Sequence, residues 1–329
     1  MLLAGDVGGT KTRLALFQPH AHGLENVAMD QFTSAKFPSL SHIVEQFLKG
    51  KDVKFDAACF GVPGPVVNGH VRVTNLPWEL DERTLAKELG VRRVRLVNDL
   101  LATAASIPGL GSDAIVTLHP GDPLRDRTVS AVIAPGTGTG QAFLCSMGPK
   151  RSEAFPAEGG HVDFGPQNGT EDALVTYLRT KLASKRVRVE DVLCGPGIKN
   201  IYEFVRDVEK ISEPKDLAAE ISASTDKPSV ITKAALAKKH PICERTLEIF
   251  CHALVSQAGN LVLTYMATGG VYLGGGIPPR ITELLSAPRV LESYLKKQPL
   301  QHVVQQTPLY IIKDDHAAVV GAGLIASQL

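Results

Sequence analysis

Leu3-Ala4-Gly5-Asp6-Val7-Gly8-Gly9-Thr10-Lys11-Thr12-Arg13-Leu14-Ala15-Leu16 is echoed further along the chain by Val132-Ile133-Ala134-Pro135-Gly136-Thr137-Gly138-Thr139-Gly140-Gln141-Ala142-Phe143-Leu144. Apolar, strand-like residues enter and leave both glycine-threonine turns. Glycine there permits positive φ and lets backbone N–H groups converge on an anion with no Cβ in the way. Either turn alone reads as a tight hairpin, but two in one chain point to two related halves facing one polyphosphate. The first is not a Walker loop, because Thr10 separates Gly9 from Lys11. The second has neither the spacing of a dinucleotide fingerprint nor a helix directly after it.

The surroundings of the turns alternate in the α/β manner. Strand patterns occur near Leu2-Gly5, Arg13-Phe17, Ala57-Gly61 and Val94-Val97, with helical patterns at Leu40-Leu48 and Glu82-Leu89. A β-rich stretch restarts near Val129, which places a domain boundary and a candidate hinge around Ile107-Pro108-Gly109-Leu110-Gly111. Helical patterns follow at Glu171-Ala183, Gly197-Asp207, Ser229-Lys239 and Ile242-Ala267, then a strand at Leu309-Ile312. The chain ends in an alanine- and glycine-rich helix from Ala317, whose small residues allow it to approach another element closely and to return to the first domain. At 329 residues two α/β domains with substantial cores are expected.

Composition narrows the class of function. Lys+Arg of 35 against Asp+Glu of 34 leaves a formal charge of +1, which argues against a nucleic-acid or polybasic membrane surface. Five scattered cysteines form no CxxC pair, so neither structural zinc nor a disulfide framework is expected, and a reducing cytoplasm is. No signal-peptide pattern precedes Asp6. The apolar run from Leu261 to Ile277 is interrupted by glycines and reads as a buried helix followed by a buried strand rather than a membrane span.

Five constellations carry candidate chemistry. In Val94-Arg95-Leu96-Val97-Asn98-Asp99 a strand ends in a polar pair, and Asp99 either caps the following helix or accepts a proton from a substrate hydroxyl. Glu158-Gly159-Gly160-His161 sets an acid and an imidazole three apart around a flexible Gly-Gly pair. Together they are either a surface acid and a core histidine, or an acceptor and a donor for adjacent sugar hydroxyls. Asn75, next to Leu76-Pro77-Trp78, belongs either to a packed loop or to one wall of a sugar pocket. Glu190, which on its own reads as a solvated acid, precedes the turn Cys194-Gly195-Pro196-Gly197, and Gly274-Gly275-Gly276 with Pro278 forms a strand, glycine turn and proline-started helix suited to a nucleoside on bare backbone.

Five segments in order, Asp6-Val7-Gly8-Gly9-Thr10, Asn98-Asp99, Gly136-Thr137-Gly138, Glu158-Gly159-Gly160-His161 and Gly274-Gly275-Gly276, make the chain resemble the bacterial glucokinases of the hexokinase, actin and heat-shock chaperone superfamily over essentially its whole length. The resemblance implies a two-domain actin-like ATPase (ribonuclease H-like) α/β fold with an interdomain active-site cleft. It divides the chain into a small domain of 1–110 plus 313–329 and a large domain of 111–312. It also implies phosphorylation of glucose by ATP, the first step of glycolysis, in a cytoplasmic homodimer. Asp99 would be the general base. Asn98, Glu158, His161, Glu190 and Asn75 would hold glucose, and Asp6 would orient Mg²⁺ through water. Gly8, Gly9, Thr10 and Lys11 with Gly136, Thr137, Gly138 and Thr139 would grip phosphates, and Gly274, Gly275 and Gly276 the adenosine. The related repressor-kinases carry a cysteine-rich zinc loop after the histidine, whereas Val162-Asp163-Phe164-Gly165-Pro166 follows here without cysteine, so the zinc-free group is the nearer likeness. A sugar-sensing regulator and an actin-like or chaperone-like ATPase are the rival readings. Asp6 and Asp99 weigh against the first, and the Glu158–His161 segment against the second.

Overall fold

The protein is described by a computed structural model covering residues 1–20, 23–74, 76–122, 127–148 and 151–329. Along the chain run β1 (Leu2–Val7), β2 (Lys11–His20), β3 (Gly23–Thr33), α1 (Leu40–Leu48), β4 (Ala57–Val62), β5 (His70–Arg72), β6 (Glu79–Asp81), α2 (Glu82–Glu88), β7 (Arg93–Asn98) and α3 (Asp99–Ser106). Next come β8 (Ile115–His119), β9 (Val129–Pro135), β10 (Thr139–Ser146), β11 (Ser152–Ala157), α4 (Gly169–Lys181), α5 (Val189–Val192), α6 (Gly195–Asp207), α7 (Lys215–Ala223), α8 (Lys227–Leu236) and α9 (Pro241–Tyr265). The chain finishes with β12 (Gly270–Leu273), α10 (Thr282–Leu285), α11 (Pro288–Leu295), α12 (Gln301–Gln306), β13 (Leu309–Ile312) and α13 (Ala317–Ala326). Two compact units result: Met1–Ile115 with Ala142–Pro156 and Asp314–Leu329, and Val116–Gln141 with Ala157–Lys313.

The first unit is built on a five-stranded sheet in the order β3-β2-β1-β4-β7. Hairpins make β1/β2 and β2/β3 antiparallel, and crossovers through α1 and α2 make β1/β4 and β4/β7 parallel. Side chains alternate between the faces of a strand. Leu3 and Val7 of β1 therefore pack with Leu14, Leu16, Phe60 and the α1 residues Ile43, Val44 and Phe47 on one face. Leu2 and Ala4 pack with Ala15, Cys59, Ala102, Val319 and Ala322 under α3 and α13 on the other. That second face is lined by small residues, and the helices come very close. A Cβ on Gly321 would stand 1.8 Å from the carbonyl oxygen of Ala102, and one on Gly323 would stand 2.8 Å from the Phe17 ring.

A second sheet has six strands in the order β11-β10-β9-β12-β13-β8, with β12 parallel to both β9 and β13. The core of the second unit is organised by α9, 25 residues long, in which every residue from Ala253 to Gly259 is buried. That middle stretch is enclosed on all sides and shows no amphipathic stripe, whereas the ends of the helix keep exposed polar residues such as Glu244 and Thr264. Leu247, Phe250, Leu254 and Val262 of α9 share one cluster with Ala131 and Ile133 of β9 and with Ile198 and Ile201 of α6.

Trp78, in the stretch that the sequence reads either as a packed loop or as one wall of a sugar pocket, is a core residue. It is buried with Val71, Val73, Leu76 and Leu80 of the first unit. Asn75 lies outside the described residues.

Candidate active site

The first glycine-threonine turn closes the β1–β2 hairpin, where Gly8 N–H donates to the Lys11 carbonyl at 2.8 Å. The turn is held from inside by Ser34, which is fully buried. Its hydroxyl donates to the Gly8 carbonyl at 2.7 Å and shares a 3.0 Å hydrogen bond with the Thr12 hydroxyl. Its N–H donates to the Thr10 carbonyl at 3.1 Å. Thr10 and Lys11 are left exposed.

Positive φ, expected of the glycines in the twin turns, is not what Gly8 and Gly138 supply. Gly8, Gly136 and Gly138 do not adopt the left-handed region. Gly8 is required because a Cβ would stand 2.8 Å from the Lys11 carbonyl oxygen, and a Cβ on Gly138 would stand 2.5 Å from Glu190 Oε2 and make that carboxylate shift. Positive φ occurs instead in the third glycine turn, at Gly275 (φ 78°), where a Cβ would also meet the Pro135 carbonyl oxygen at 2.7 Å.

Strand alternation puts Asp6 on the same face of β1 as Leu2 and Ala4, one step beyond the apolar packing. Its cross-strand partner is Arg13, whose Nη1 lies 3.8 Å from Asp6 Oδ2. Arg13 also donates to the Asp315 carbonyl at 2.9 Å and to Gln31 Oε1 at 3.2 Å. Burial raises the Asp6 carboxyl above its ordinary range and the Arg13 charge pulls it back down. Among the described residues no group of three His, Cys, Asp or Glu could hold a metal ion. A lone carboxylate beside a phosphate-type turn does not cage a metal. It does fit magnesium that brings its other ligands as phosphate oxygens and waters.

Asn98 and Asp99 stand at the β7–α3 junction. The helix cap is Asn98, not Asp99: Asn98 Oδ1 accepts from the N–H groups of Leu100 at 2.9 Å and Leu101 at 3.3 Å. Its amide also donates to the Gly64 carbonyl at 3.4 Å. Asp99 is thereby the first residue of α3, half-buried, with Oδ1 accepting from Leu100 N–H at 2.9 Å. Gly61 of β4 lies under this corner, where a Cβ would approach Asp99 Cα to 3.5 Å.

In the second unit, the Gly136–Thr139 turn is tied to the segment that precedes α6. Gly195 N–H donates to the Gly136 carbonyl at 2.8 Å, and the Thr139 hydroxyl donates to the Leu193 carbonyl at 2.5 Å. Thr139 N–H donates to Glu190 Oε2 at 3.1 Å. Cys194 caps α6 through its sulfur, accepting from Gly197 N–H at 3.3 Å, and burial pushes its thiol up to about 11.

Glu190 also belongs to a cluster with His161 and Glu158. His161 Nδ1 is 3.9 Å from Glu190 Oε1, and His161 Nε2 is 3.9 Å from Glu158 Oε2. Both Glu158 and His161 are exposed, while Glu190 is largely covered. The intervening Gly159-Gly160 pair, read from sequence as flexible, is buried in a short 3-10 turn. A Cβ on Gly159 would fall 1.8 Å from Gln141 Oε1, and one on Gly160 would fall 2.1 Å from the Thr139 carbonyl oxygen. The loop is fixed by contact with β10. Gln141 beneath it is buried, and its Nε2 is a buried side-chain donor with no partner among the described residues.

A cavity of about 980 Å³ opens beside the second turn, lined by Gly136, Thr137, Gly195, Ser229, Lys233 and Arg280, with Gly276 and Ile277 at its margin. The sequence pointed to the glycines but missed Ser229 and Lys233, which lie a turn apart on one polar stripe of α8 next to Thr232. Arg280 sits in the proline-started 3-10 turn Pro278–Ile281, which runs directly into α10.

Comparison with known proteins follows the same lines. The family model described as "Glucokinase" matches residues 3–329. A glucokinase of Nostoc punctiforme is 38% identical over 341 residues, covering 100% of this chain and 99% of the relative, and one of Escherichia fergusonii is 32% identical over 327 residues, covering 98% and 95%. The crystal structure of a glucokinase from an Antarctic psychrotroph superposes with a TM-score of 0.88 at 29% identity, covering 100% of this chain and 99% of that one.

Proposed function

The chain belongs to the glucokinase family, and we propose that it transfers the γ-phosphoryl group of Mg·ATP to the 6-hydroxyl of D-glucose. It is a hexose kinase with the actin-like ATPase fold. The observation that carries the choice of a sugar acceptor is Glu190. One carboxylate accepts from the N–H of the phosphate-type turn at Thr139 and lies within 4 Å of the His161 imidazole. Donor and acceptor groups suited to vicinal hydroxyls are thus wired to the turn that would face the donor phosphates.

In this reading Asn98, Asp99, Asn75, Glu158, His161 and Glu190 hold glucose. Asp99 accepts the proton of the attacking hydroxyl, a contribution of about 10²- to 10⁴-fold. The Gly8–Lys11 and Gly136–Thr139 turns hold phosphates through backbone N–H groups. Gly274–Gly276 and the cavity beside them take the nucleoside, with Lys233 and Arg280 as flanking cations. Magnesium bound with the nucleotide would neutralise phosphate charge, and Asp6 is the residue that would hold one of its waters. Most of the remaining acceleration comes from positioning and charge stabilisation around a loose transition state. The same proposal divides the chain into a small domain of 1–110 plus 313–329 and a large one of 111–312, and makes the enzyme a cytoplasmic homodimer. Sedimentation equilibrium tests the dimer. No described helix is long and apolar enough to cross a membrane.

The deciding experiment is Asp99→Ala in a coupled glucose 6-phosphate assay, with glucose binding followed by calorimetry. Turnover falls by about 10²-fold or more, while the glucose Kd rises by no more than about tenfold, the loss of one hydrogen bond. Near-normal turnover removes Asp99 as the base. Normal ATP hydrolysis without sugar would favour a plain ATPase.

A further inference from the structure

Antiparallel pairing joins the segment after His161 to the one before α5. Phe164 N–H donates to the Val187 carbonyl at 2.8 Å, Val189 N–H donates to the Val162 carbonyl at 3.0 Å, and Asp163 bridges to Arg188. This register sets Arg188 beside His161. Arg188 Nη1 lies 3.3 Å from His161 Nδ1 and 3.3 Å from Glu190 Oε1. The rest of the guanidinium is held by Asp191, with Nη2 at 2.7 Å from Oδ1 and Nε at 3.3 Å from Oδ2, while the Arg188 backbone N–H donates to the same carboxylate at 2.7 Å. The His161 backbone is held too, because Arg186 Nη2 donates to its carbonyl at 2.9 Å and Arg186 Nε donates to Asp163 at 2.6 Å.

A guanidinium has five N–H donors and no acceptor, and it keeps its proton. A ring nitrogen that accepts from it carries no proton of its own. We propose that Arg188 is a positioning residue that fixes His161 as the Nε2–H tautomer, so that the imidazole meets substrate only as a donor, between the acceptors Glu158 and Glu190. The inference rests on reading this cluster as the sugar site. The 3.9 Å separation between His161 Nε2 and Glu158 Oε2 is too long for a direct hydrogen bond. A hydroxyl that accepts the Nε2 proton and donates its own to Glu158 closes that gap, and a group able only to accept or only to donate does not. Arg188 thus gives the site a defined sense of hydrogen bonding, which selects a hydroxyl over a carbonyl or an amine cation at that position of the ligand. Asp191 acts one step behind, by aiming the guanidinium.

The test uses the full chain labelled with [¹⁵N]histidine, its His161 resonances assigned by their loss in His161→Gln. In the wild-type protein at pH 8 the expected spectrum shows Nδ1 unprotonated and Nε2 protonated. A protonated Nδ1, or an averaged mixture, overturns the proposal without any need for a substitution. In Arg188→Met the preference relaxes toward a mixture, and the glucose KM rises about five- to tenfold, the loss of one hydrogen bond, with kcat and the ATP KM changed by less than about twofold. An unaltered His161 spectrum in that variant also overturns it. Should Arg188→Met fail to fold, Asp191→Asn releases the guanidinium and is read the same way. A normal glucose KM in His161→Gln defeats the sugar-site reading instead, and leaves the tautomer to be decided by the spectrum alone.

Discussion

Gly136 and Gly159 are both glycines of the candidate site, and a methyl group separates their roles. At Gly136 an added Cβ meets nothing within 4 Å, and the backbone is outside the left-handed region, so alanine fits the folded chain. Alanine also restricts the unfolded chain, and Gly136→Ala is expected to leave stability unchanged or to raise it by about 0.4–1 kcal/mol. The open space beside Gly136 is where phosphate would lie, so the ATP KM rises while the glucose KM holds. At Gly159 the same methyl lands 1.8 Å from Gln141 Oε1, and the buried Gln141 amide has to shift to make room. Gly159→Ala is expected to cost about 1–3 kcal/mol in urea denaturation and to raise the glucose KM by displacing Glu158 and His161. An unimpaired ATP KM in the first variant, or wild-type stability in the second, contradicts this division. The site chemistry was legible here as residue types at fixed spacing. The steric reason at Gly138 and Gly159 was not, because Glu190 and Gln141 reach those glycines from distant parts of the chain.

At the scale of elements, α13 is the piece on which α3, and with it Asp99, depends. Gly321 faces the α3 backbone at two points, where a Cβ would come within 1.8 Å of the Ala102 carbonyl oxygen and 2.9 Å of the Ser106 nitrogen. Backbone cannot swing aside as a long side chain can. Gly321→Ala is therefore expected to lower stability by about 3 kcal/mol and to reduce kcat more than the glucose KM, because the first turn of α3 shifts with its packing partner. The urea midpoint and a kinetic split measured on one preparation decide it, and intact kcat with lowered stability would show that Asp99 is held independently of α13. The small residues of this helix are legible in sequence as close packing, and the periodic Leu40–Leu48 helix and apolar Leu309–Ile312 strand are equally plain. β3 is not, because it is mostly exposed along its length and has no clean apolar alternation. Nor are α10 and α12, too short at 4 and 6 residues to show a helical period. Arg188 escaped notice for a related cause: its partner His161 reaches it through strand-like pairing between distant segments.

The stability of the whole molecule should carry the mark of one buried lysine. Lys297 is only 7% exposed, its ammonium donates to Ser256 Oγ of α9 at 3.0 Å, and burial pulls its pKa down from 10.5 to about 8. Glu171 of α4 is the charged group that acts on it, pulling it back up, but that carboxyl is itself buried and raised above its ordinary range, so desolvation outweighs their attraction at both ends. Below pH 8 the lysine is charged in both the folded and the unfolded chain, and folding bears the full cost of burying that charge. Between about pH 8 and 10.5 the folded protein has released the proton while the unfolded chain still holds it, so stability rises with pH. The gap between 10.5 and about 8 corresponds to about 3 kcal/mol across that window. Other lysines, tyrosines and cysteines also titrate there, which is why the comparison is with Lys297→Met. Glu171, whose carboxyl is raised by burial, is present in both proteins of the comparison. Urea midpoints at pH 7, 8, 9 and 10 should show the wild type gaining on the variant by up to about 3 kcal/mol, the variant losing the lysine's pH term together with its Ser256 bond. Parallel curves would mean that Lys297 stays charged in the folded chain, and that its attraction to Glu171 exceeds the cost of burial.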